Sequence, residues 1–324
     1  MNESTPQEQE ITDQNTPAEL TYEQRVVSEA KKWGQHLHVE ASGEWNAWLD
    51  HPLINDHYDE RSLIDGLRWE KWVRTAIGRP AECSLDLGCG SGSRSFSVFR
   101  AGSSSRVEGA DLSADRIEEA ERMRQASGMP GAFRVEDSNI SVLPRNRYDL
   151  IFSAHSFHHF LELEHVMGEV SRALTDRGLF VLEEFTGPTQ FQWTDAQLSF
   201  VNAILGALPE NFRELPHGRV WAPGTLKTHE ARPAVEDVVA ASPFESIRSA
   251  DIVPLFEQFF EIVEIRRLGG TIQHLLYNGI MHNFRPEVPG AAEIIQGICQ
   301  IEDGLIDSGL LPSDFMLLIG RPRR

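Results

Sequence analysis

A glycine-rich turn directly after a short apolar run is the feature that most constrains the fold of this chain. The stretch SLDLGCGSGSRS, residues 84–95, places glycine at every second position, at Gly88, Gly90 and Gly92, with Asp86 just before them. Glycine is the default residue where the backbone must adopt a positive φ or pass close to a ligand. A turn of this kind between a strand and a helix indicates a ligand that lies against the backbone.

The residues after this turn alternate between predicted strands and predicted helices. The first five predicted strands are 83–88, 106–111, 132–137, 148–154 and 178–185, and predicted helices occupy 93–101, 114–126 and 163–174. Strands separated by helices predict a parallel sheet with helices on both faces. Two later strands, 259–268 and 314–322, complete the prediction of a Rossmann-like, seven-stranded, mostly parallel α/β sheet.

Differences in composition along the chain predict segments before and after the strands of the core. Residues 1–20 are polar, acidic and poor in large apolar side chains, which predicts a disordered tail. We predict an N-terminal helical cap over 21–80, a Rossmann-like core over 81–186, a lid insertion over 187–250 and the remainder of the core over 251–324. The insertion follows the fifth strand and consists of short helical pieces separated by prolines.

Composition excludes several classes of partner. The net charge of −19 results from 49 acidic and 30 basic side chains. We therefore expect no nucleic acid and no anionic membrane as a partner, because both require a basic face. The N-terminus lacks signal-peptide features, and no run approaches the ~18 apolar residues that span a bilayer. Three cysteines, Cys83, Cys89 and Cys299, are too few for a disulfide framework or a zinc site. We expect a cytoplasmic protein.

Acidic residues stand at the ends of three successive predicted strands. Asp86 can accept from an ammonium group, and Asp111 lies near the offset of ~20 residues at which acids bind a ribose diol. Asp137 can take an exocyclic amine, while the backbone N–H of Ser138 meets a ring nitrogen. The turn does not match a dinucleotide fingerprint, because Ser93 stands where the third glycine is required, and it lacks the lysine of a phosphate-binding loop.

Five stretches of the core resemble, in order and spacing, those of class I S-adenosylmethionine-dependent methyltransferases. They are LDLGCGSG, GADLS, VEDSNISVLP, YDLIFSAHSFHHF and LTDRGLFVLEEF, and they cover roughly residues 80–186. The resemblance implies S-adenosylmethionine as the cofactor. The residues implied to bind it are Asp86, Gly88, Cys89, Gly90, Asp111, Leu112, Asp137, Ser138, Ala154 and His155. The stretches HPLI, GPTQFQWTDAQL and LGGTIQHLLYNGI are also similar to a bacterial small-molecule or glycan-locus branch.

Candidate catalytic residues follow the fourth and fifth strands. A hydroxyl or protonated amine acceptor needs a base, whereas a carboxylate acceptor needs none. His155, His158 and Glu184 are the predicted catalytic residues, and Glu183 is expected on the opposite side of its strand. No metal site is predicted. The predicted acceptor-binding residues are His51, His159, Gln192, Trp193 and Trp221.

The sequence therefore predicts an enzyme that transfers a methyl group to a small-molecule acceptor at a hydroxyl or carboxylate oxygen, as in natural-product biosynthesis. The alternatives are N- or C-methylation of a metabolite or peptide terminus, and a partner protein that binds the cofactor without turnover. A nicotinamide oxidoreductase is disfavoured by Ser93. Nucleic-acid methylation is disfavoured by the charge. The acceptor's identity and the oligomeric state are not predicted.

Overall fold

The computed structural model describes residues 20–40, 47–216 and 222–324, with the side chains of 36–40 excepted. The predicted disordered tail lies outside these ranges apart from its last residue, and Trp221 also lies outside them. The helices of the described residues are α1 (Tyr22–Glu40), α2 (Pro52–Ser62), α3 (Trp69–Ile77), α4 (Ser93–Arg100), α5 (Ala114–Ser127), α6 (Leu163–Ala173), α7 (Asp195–Ala207), α8 (Val235–Ala241), α9 (Ile252–Phe259), α10 (Gln273–Leu276) and α11 (Ala291–Asp307). The strands are β1 (Ser84–Leu87), β2 (Val107–Asp111), β3 (Gly131–Val135), β4 (Tyr148–Ala154), β5 (Leu174–Phe185), β6 (Phe260–Gly269) and β7 (Phe315–Pro322).

The seven strands form one sheet in the order β3-β2-β1-β4-β5-β7-β6. Strands β1 to β5 pair in parallel, and β7 runs antiparallel to both β5 and β6. The predicted Rossmann-like, mostly parallel sheet is thus confirmed. The chain order reverses between β1 and β4, and open α/β sheets bind ligands in the crevice at such a switch point.

Strand β5 begins earlier than predicted. Leu174 was predicted to end a helix, but it pairs with Tyr148 of β4, and the register shifts before the next pair, Leu150 with Leu179. The irregularity lets the chain leave α6 and enter the sheet without a separate loop. The helix therefore ends at Ala173.

Both faces of the central strands are buried. Leu150 and Phe152 of β4 belong to an apolar cluster with residues of α2, α3, α4 and α11, whereas Ile151 belongs to a second cluster with residues of α6 and α9. Side chains alternate across a strand, so consecutive residues enter opposite layers. This arrangement is typical of parallel sheets covered by helices on both faces.

The helices before β1 pack onto the sheet through tryptophans. Trp69 of α3 is buried, its ring lies 5.5 Å from that of Phe152 between centroids, and its indole donates to Glu183 at 2.7 Å. The carbonyl of Trp33 in α1 accepts from Arg116 of α5 at 2.8 Å. The predicted cap is therefore held against the core by specific polar contacts as well as by apolar burial.

A buried carboxyl group joins α7 to the start of β7. The side chain of Gln197 donates to Asp314 at 2.8 Å. Burial raises the pKa of Asp314 to about 8, although the Gln197 hydrogen bond works in the opposite direction. Asp314 therefore remains largely protonated in the folded protein at neutral pH, whereas it ionises near pH 4 in the unfolded chain.

We expect Asp314→Asn to change how stability depends on pH. In the wild type, the free energy of unfolding should fall as pH rises from about 4 to about 8. Over this range Asp314 is ionised in the unfolded chain but protonated in the folded protein. The amide cannot ionise. The free energy of unfolding of the variant, relative to that of the wild type, should therefore be more than ~1 kcal/mol higher at pH 8.5 than at pH 4.5. Urea unfolding at both pH values measures this, with Asp176→Asn, an exposed position, as the control. A difference in free energy of unfolding that does not change with pH would contradict it.

Candidate active site

A cavity of about 850 Å³ lies where β1, β2 and β4 end. Its volume is near the upper end of the ~300–1,000 Å³ usual for small-molecule sites, so it has room for a cofactor and an acceptor. Eight of the ten predicted cofactor residues line it. They are Asp86, Gly88, Cys89, Gly90, Asp111, Leu112, Ala154 and His155.

The glycine turn after β1 requires glycine for its conformation. Gly88, Gly90 and Gly92 have φ of 67°, 51° and 86°, in the left-handed region. A Cβ atom at Gly88 would lie 2.4 Å from the Oγ of Ser156, and one at Gly92 would lie 2.9 Å from the ring of Phe96. A side chain at either position would therefore collide with its neighbours as well as strain the backbone.

Two buried aspartates stand beside the turn. Asp86 accepts from the Ser95 hydroxyl at 2.7 Å, and burial, together with the nearby charge of Asp111, raises the pKa of Asp86 to about 7. Asp111 accepts from the backbone N–H groups of Gly90 and Ser113, both at 2.8 Å, and burial raises its pKa. Asp111 therefore ties the turn to the end of β2 while it faces the cavity.

Helix α1 occupies the end of the cavity where the adenine was expected. Asp137, predicted to take the adenine amine, accepts from the Tyr22 hydroxyl at 2.6 Å and from the Asn139 N–H at 3.0 Å. Neither Asp137 nor Ser138 lines the cavity, whereas Glu29 and other residues of α1 do. The role predicted for Asp137 and Ser138 stays a prediction, because in this conformation the Tyr22 phenol takes the place of a ligand donor.

His155 stands at the end of β4 in a rare backbone conformation. Its φ is 53°, which is uncommon for a residue with a side chain and is often seen at functional sites. The N–H of His155 donates to the carbonyl of Glu183 at 2.9 Å, and its Nε2 lies 3.5 Å from the Oε1 of the same residue. The side chain of His155 is 34% exposed and lines the cavity.

Glu183 is the buried carboxylate that organises this wall. It is 2% exposed and accepts from the guanidinium of Arg94 and from the indole of Trp69, both at 2.7 Å. Burial opposes its charge, but Arg94 and His155 lower the pKa of Glu183 to about 2. Arg94, which was not predicted as a site residue, is held by Glu70 at 2.7 Å. Its position in the first turn of α4, just after the glycines, was the available signal.

Glu184 faces the other way and does not line the cavity. It accepts from the backbone N–H groups of Ser156, Phe157 and Phe185 at 2.9, 2.6 and 2.6 Å. The Oε1 of Glu184 also lies 2.5 Å from the Nδ1 of His158. Glu184 therefore positions the chain that leaves β4, and its geometry gives it no direct access to an acceptor in this cavity.

The two adjacent histidines have acidic neighbours. Burial disfavours a charged His158, but Glu184 and then Glu245 raise the pKa of His158 to about 10. An imidazole that is already protonated at neutral pH cannot act as a general base. His159 lines the cavity, and its Nδ1 lies 3.0 Å from the Oε1 of Glu29.

The remaining predicted residues have other surroundings. His51 caps α2 by accepting from the Leu53 N–H at 3.1 Å, and its Nε2 lies 2.9 Å from the carbonyl oxygen of Phe284. Gln192 donates to the carbonyl of Pro233 at 3.0 Å. Neither residue lines the cavity at the glycine turn.

Trp193 lies in a second, aromatic cavity of about 500 Å³. Its ring stacks on that of Phe191 at 5.2 Å between centroids and meets His274 edge-on at 5.6 Å. Burial lowers the pKa of His274 to about 4, so this imidazole is neutral. The ring of Phe315 lies 5.6 Å from that of His274 and 6.0 Å from that of His155 between centroids, so it connects a residue of each cavity.

The comparisons with known proteins find methyltransferases. Residues 80–236 match the family model described as a methyltransferase domain. Demethylmenaquinone methyltransferase of Thermus thermophilus is 25% identical over 183 residues, which are 55% of this chain and 81% of that protein. The 2-phytyl-1,4-naphtoquinone methyltransferase of Trichormus variabilis is 25% identical over 163 residues, 49% of this chain and 71% of that one.

A solved structure of an S-adenosylmethionine-dependent methyltransferase from Mesorhizobium loti is 18% identical, with a TM-score of 0.42, and the match covers 79% of this chain and 99% of that one. The fold assignment rests on the strand order rather than on this similarity.

Residues 80–236, a little less than half of the chain, thus match a methyltransferase domain, and the comparisons support an S-adenosylmethionine-dependent methyltransferase. The predicted enzyme class and the predicted cofactor are confirmed. Among the residues that the structure describes, no helix is long and apolar enough to cross a membrane.

We expect Asp111→Ala to weaken S-adenosylmethionine binding by about 10- to 100-fold. The carboxylate is the candidate acceptor for the ribose hydroxyls, and hydrogen bonds to charged groups contribute about 1.5–3 kcal/mol. Isothermal titration calorimetry measures the change, with Asp176→Asn as the control. Unchanged affinity in a folded Asp111→Ala variant would show that the ribose lies elsewhere.

Cofactor binding should also release a proton from Asp86 at mildly acidic pH. The pKa of about 7 leaves much of this group protonated below neutrality, and an ammonium ligand favours its charged form. We expect the Kd for S-adenosylhomocysteine to rise as pH falls from 7.5 to 5.5, a range below the pKa of about 7.7–8 of the ligand's own amine. Calorimetry in buffers with different ionisation enthalpies counts the protons. An Asp86→Asn variant that releases as many protons as the wild type would contradict this assignment.

Proposed function

We propose that the enzyme methylates the oxygen of a hydroxyl group on a small, ring-containing acceptor. The observation that carries this proposal is the pairing of His155 with the buried carboxylate of Glu183 in the wall of the cavity that holds Asp86 and Asp111. Of the predicted catalytic residues, His155 is the one that both lines this cavity and has a carboxylate partner.

The residues around the turn fit S-adenosylmethionine. Asp86 can take the ammonium group, Asp111 can take the ribose diol, and the glycines leave the space that a nucleoside needs. The Ser91 hydroxyl also lines the cavity, and it has no hydrogen-bond partner among the described residues. When bound, the cofactor supplies a methyl group on a sulfonium, which needs no further activation.

His155 supplies the base for the acceptor. In the tautomer with the proton on Nε2, which lies 3.5 Å from Glu183, the Nδ1 atom carries the lone pair that accepts the hydroxyl proton of the acceptor. Glu183 remains ionised, with its pKa lowered to about 2, and it stabilises the imidazolium that results. Arg94 and Trp69 fix the carboxylate, so the imidazole is held in one orientation while the proton moves.

Tyr58 offers a second contact to the acceptor. It is 3% exposed, lines the cavity, and its hydroxyl has no hydrogen-bond partner among the described residues. Burial and the charge of Glu183 raise the pKa of Tyr58 well above its ordinary value. The phenol therefore keeps its proton and can donate it to an acceptor oxygen, while its ring contacts those of Trp48 and Phe315.

A ring-containing acceptor is supported by the relatives. Two of them are named for methylating demethylmenaquinone and 2-phytyl-1,4-naphtoquinone, both of which are quinones by name. The Tyr58 ring lines the cavity 6.2 Å from that of His155 between centroids, and such an aromatic surface suits a flat ring. A ring hydroxyl that loses its proton is nucleophilic at ring carbon as well as at oxygen, so C-methylation is the second candidate function.

We expect His155→Asn to lower kcat by about 10²–10⁴-fold on a hydroxyl acceptor, the usual contribution of general base catalysis. Asparagine is chosen because it tolerates the positive φ of this position. The variant should still bind S-adenosylmethionine, which shows that it is folded. A panel of phenols, hydroquinones, carboxylic acids and amines identifies an acceptor, and NMR of the product distinguishes O-methyl from C-methyl.

The matched control is His165→Asn. His165 is a half-buried histidine of α6 that contacts the backbone carbonyl of Ser141 and lies outside the cavity. The Glu183→Gln variant should also have a lower kcat, because it lacks the charge that stabilises the imidazolium of His155. If both variants keep the wild-type kcat on a hydroxyl acceptor, the base assignment is wrong and alignment alone accounts for the rate.

A further inference from the structure

Three side chains converge between the two cavities at a point that the methyl-transfer site does not use. One nitrogen from each of His158 and His159 and one oxygen of Glu245 lie within 4.8 Å of one another. The Nε2 atoms of the histidines lie 3.6 and 4.0 Å from the Oε1 of Glu245. All three side chains are at most 15% exposed.

The geometry points to a binding site for a divalent transition-metal ion, with His158, His159 and Glu245 as its ligands. A tetrahedral Zn²⁺ site with bonds of about 2.0–2.1 Å places its ligand atoms about 3.3–3.4 Å apart. The observed separations from Glu245, 3.6 and 4.0 Å, are longer than this, so the side chains would have to rotate toward one another on binding an ion. Two imidazoles and a carboxylate suit Zn²⁺ or Fe²⁺ rather than Mg²⁺, which prefers oxygen ligands.

Carboxylates behind both histidines resemble the outer shell of a metal centre. The Nδ1 of His158 lies 2.5 Å from the Oε1 of Glu184, and the Nδ1 of His159 lies 3.0 Å from the Oε1 of Glu29. Metal-binding histidines usually donate their second N–H to a carboxylate, which fixes the tautomer and leaves the other nitrogen for the ion. His158 has this arrangement with Glu184, whereas the Nδ1 of His159 lies close to Glu29 without the geometry of a hydrogen bond.

The outer carboxylates are themselves fixed. Glu184 accepts from three backbone N–H groups of the chain around β4 and β5. Glu29 accepts from the indole of Trp33 at 2.6 Å and from the hydroxyl of Ser242 at 2.9 Å. The rings are also held in place, because His159 meets the ring of Trp33 edge-on at 5.1 Å and His158 meets that of Phe185 at 6.0 Å.

The charges of the cluster suit a dication. Three carboxylates, those of Glu29, Glu184 and Glu245, surround the two imidazoles, and Lys32 contacts Glu245 at 3.3 Å. A divalent ion binds imidazole in its neutral form, so on binding it would take the place of the proton of His158 and supply positive charge to these carboxylates.

The site would have one open coordination position. Three protein ligands leave a four-coordinate ion with room for a water molecule or an acceptor oxygen. His159 lines the cofactor cavity and Glu245 lines the aromatic cavity, so the ion would sit in the wall between them. Binding of the ion itself is independent of the methyl acceptor and of the base.

The test is metal binding to the full-length protein after chelator treatment and removal of the chelator. We expect one Zn²⁺ per chain by calorimetry, no comparable binding of Mg²⁺, and a rise in Tm with Zn²⁺. Co²⁺ in place of Zn²⁺ should give the intense visible absorption of a four-coordinate site. Glu245→Gln and His159→Gln should each weaken Zn²⁺ binding at least tenfold, and Glu29→Gln should weaken it by ~10–100-fold through His159.

His57→Gln is the matched control, because His57 pairs with Asp303 at 3.1 Å in a separate cluster. Far-UV circular dichroism and a cooperative thermal transition without added metal report that each variant is folded. Zn²⁺ affinity that is equal in the wild type and Glu245→Gln would overturn the proposal, as would the weak absorption of six-coordinate Co²⁺ in the wild type. The Co²⁺ result needs no variant, so the proposal stays testable if a substitution prevents folding.

Discussion

The buried carboxylate of Glu183 is the interaction on which the rest of the site depends. Its isolation from water would be costly without partners, because an unpaired charge in the interior is strongly destabilising. Arg94 and Trp69 supply those partners from α4 and α3. One side chain thus joins the helical segment before the sheet, the helix after the glycine turn and the histidine after β4.

Much of the core could be predicted from the sequence because its signals are local. The glycines after β1 have the positive φ that their spacing indicates, and the predicted strands of the core overlap the observed ones. Asp86 and Asp111 face a common cavity because parallel strands end at the same edge of the sheet. Such features need only the alternation of strands and helices together with the chemistry of single residues.

The surroundings of the core were less accessible from the sequence because they depend on distant contacts. Alternation places Glu183 and Glu184 on opposite sides, but it does not tell which side faces Arg94. Tyr22 reaches Asp137 from a helix that no motif links to β3. Likewise, His51 serves as a helix cap and Trp193 lines a separate aromatic cavity. The His158, His159 and Glu245 cluster has no short spacing pattern. Glu245 and the two carboxylates behind the histidines, Glu29 and Glu184, come from three different segments of the chain.

The backbone conformation at His155 has a consequence for redesign of the enzyme. A residue with a φ of 53° tolerates glycine, asparagine and aspartate, whereas β-branched and bulky replacements would add strain of about 1–3 kcal/mol. A directed-evolution library that randomises position 155 would therefore consist mostly of destabilised proteins. Diversity for new acceptors is better introduced at Leu49, Asn55 and Asp59, which line the same cavity from the N-terminal helical segment and leave the strained position unchanged.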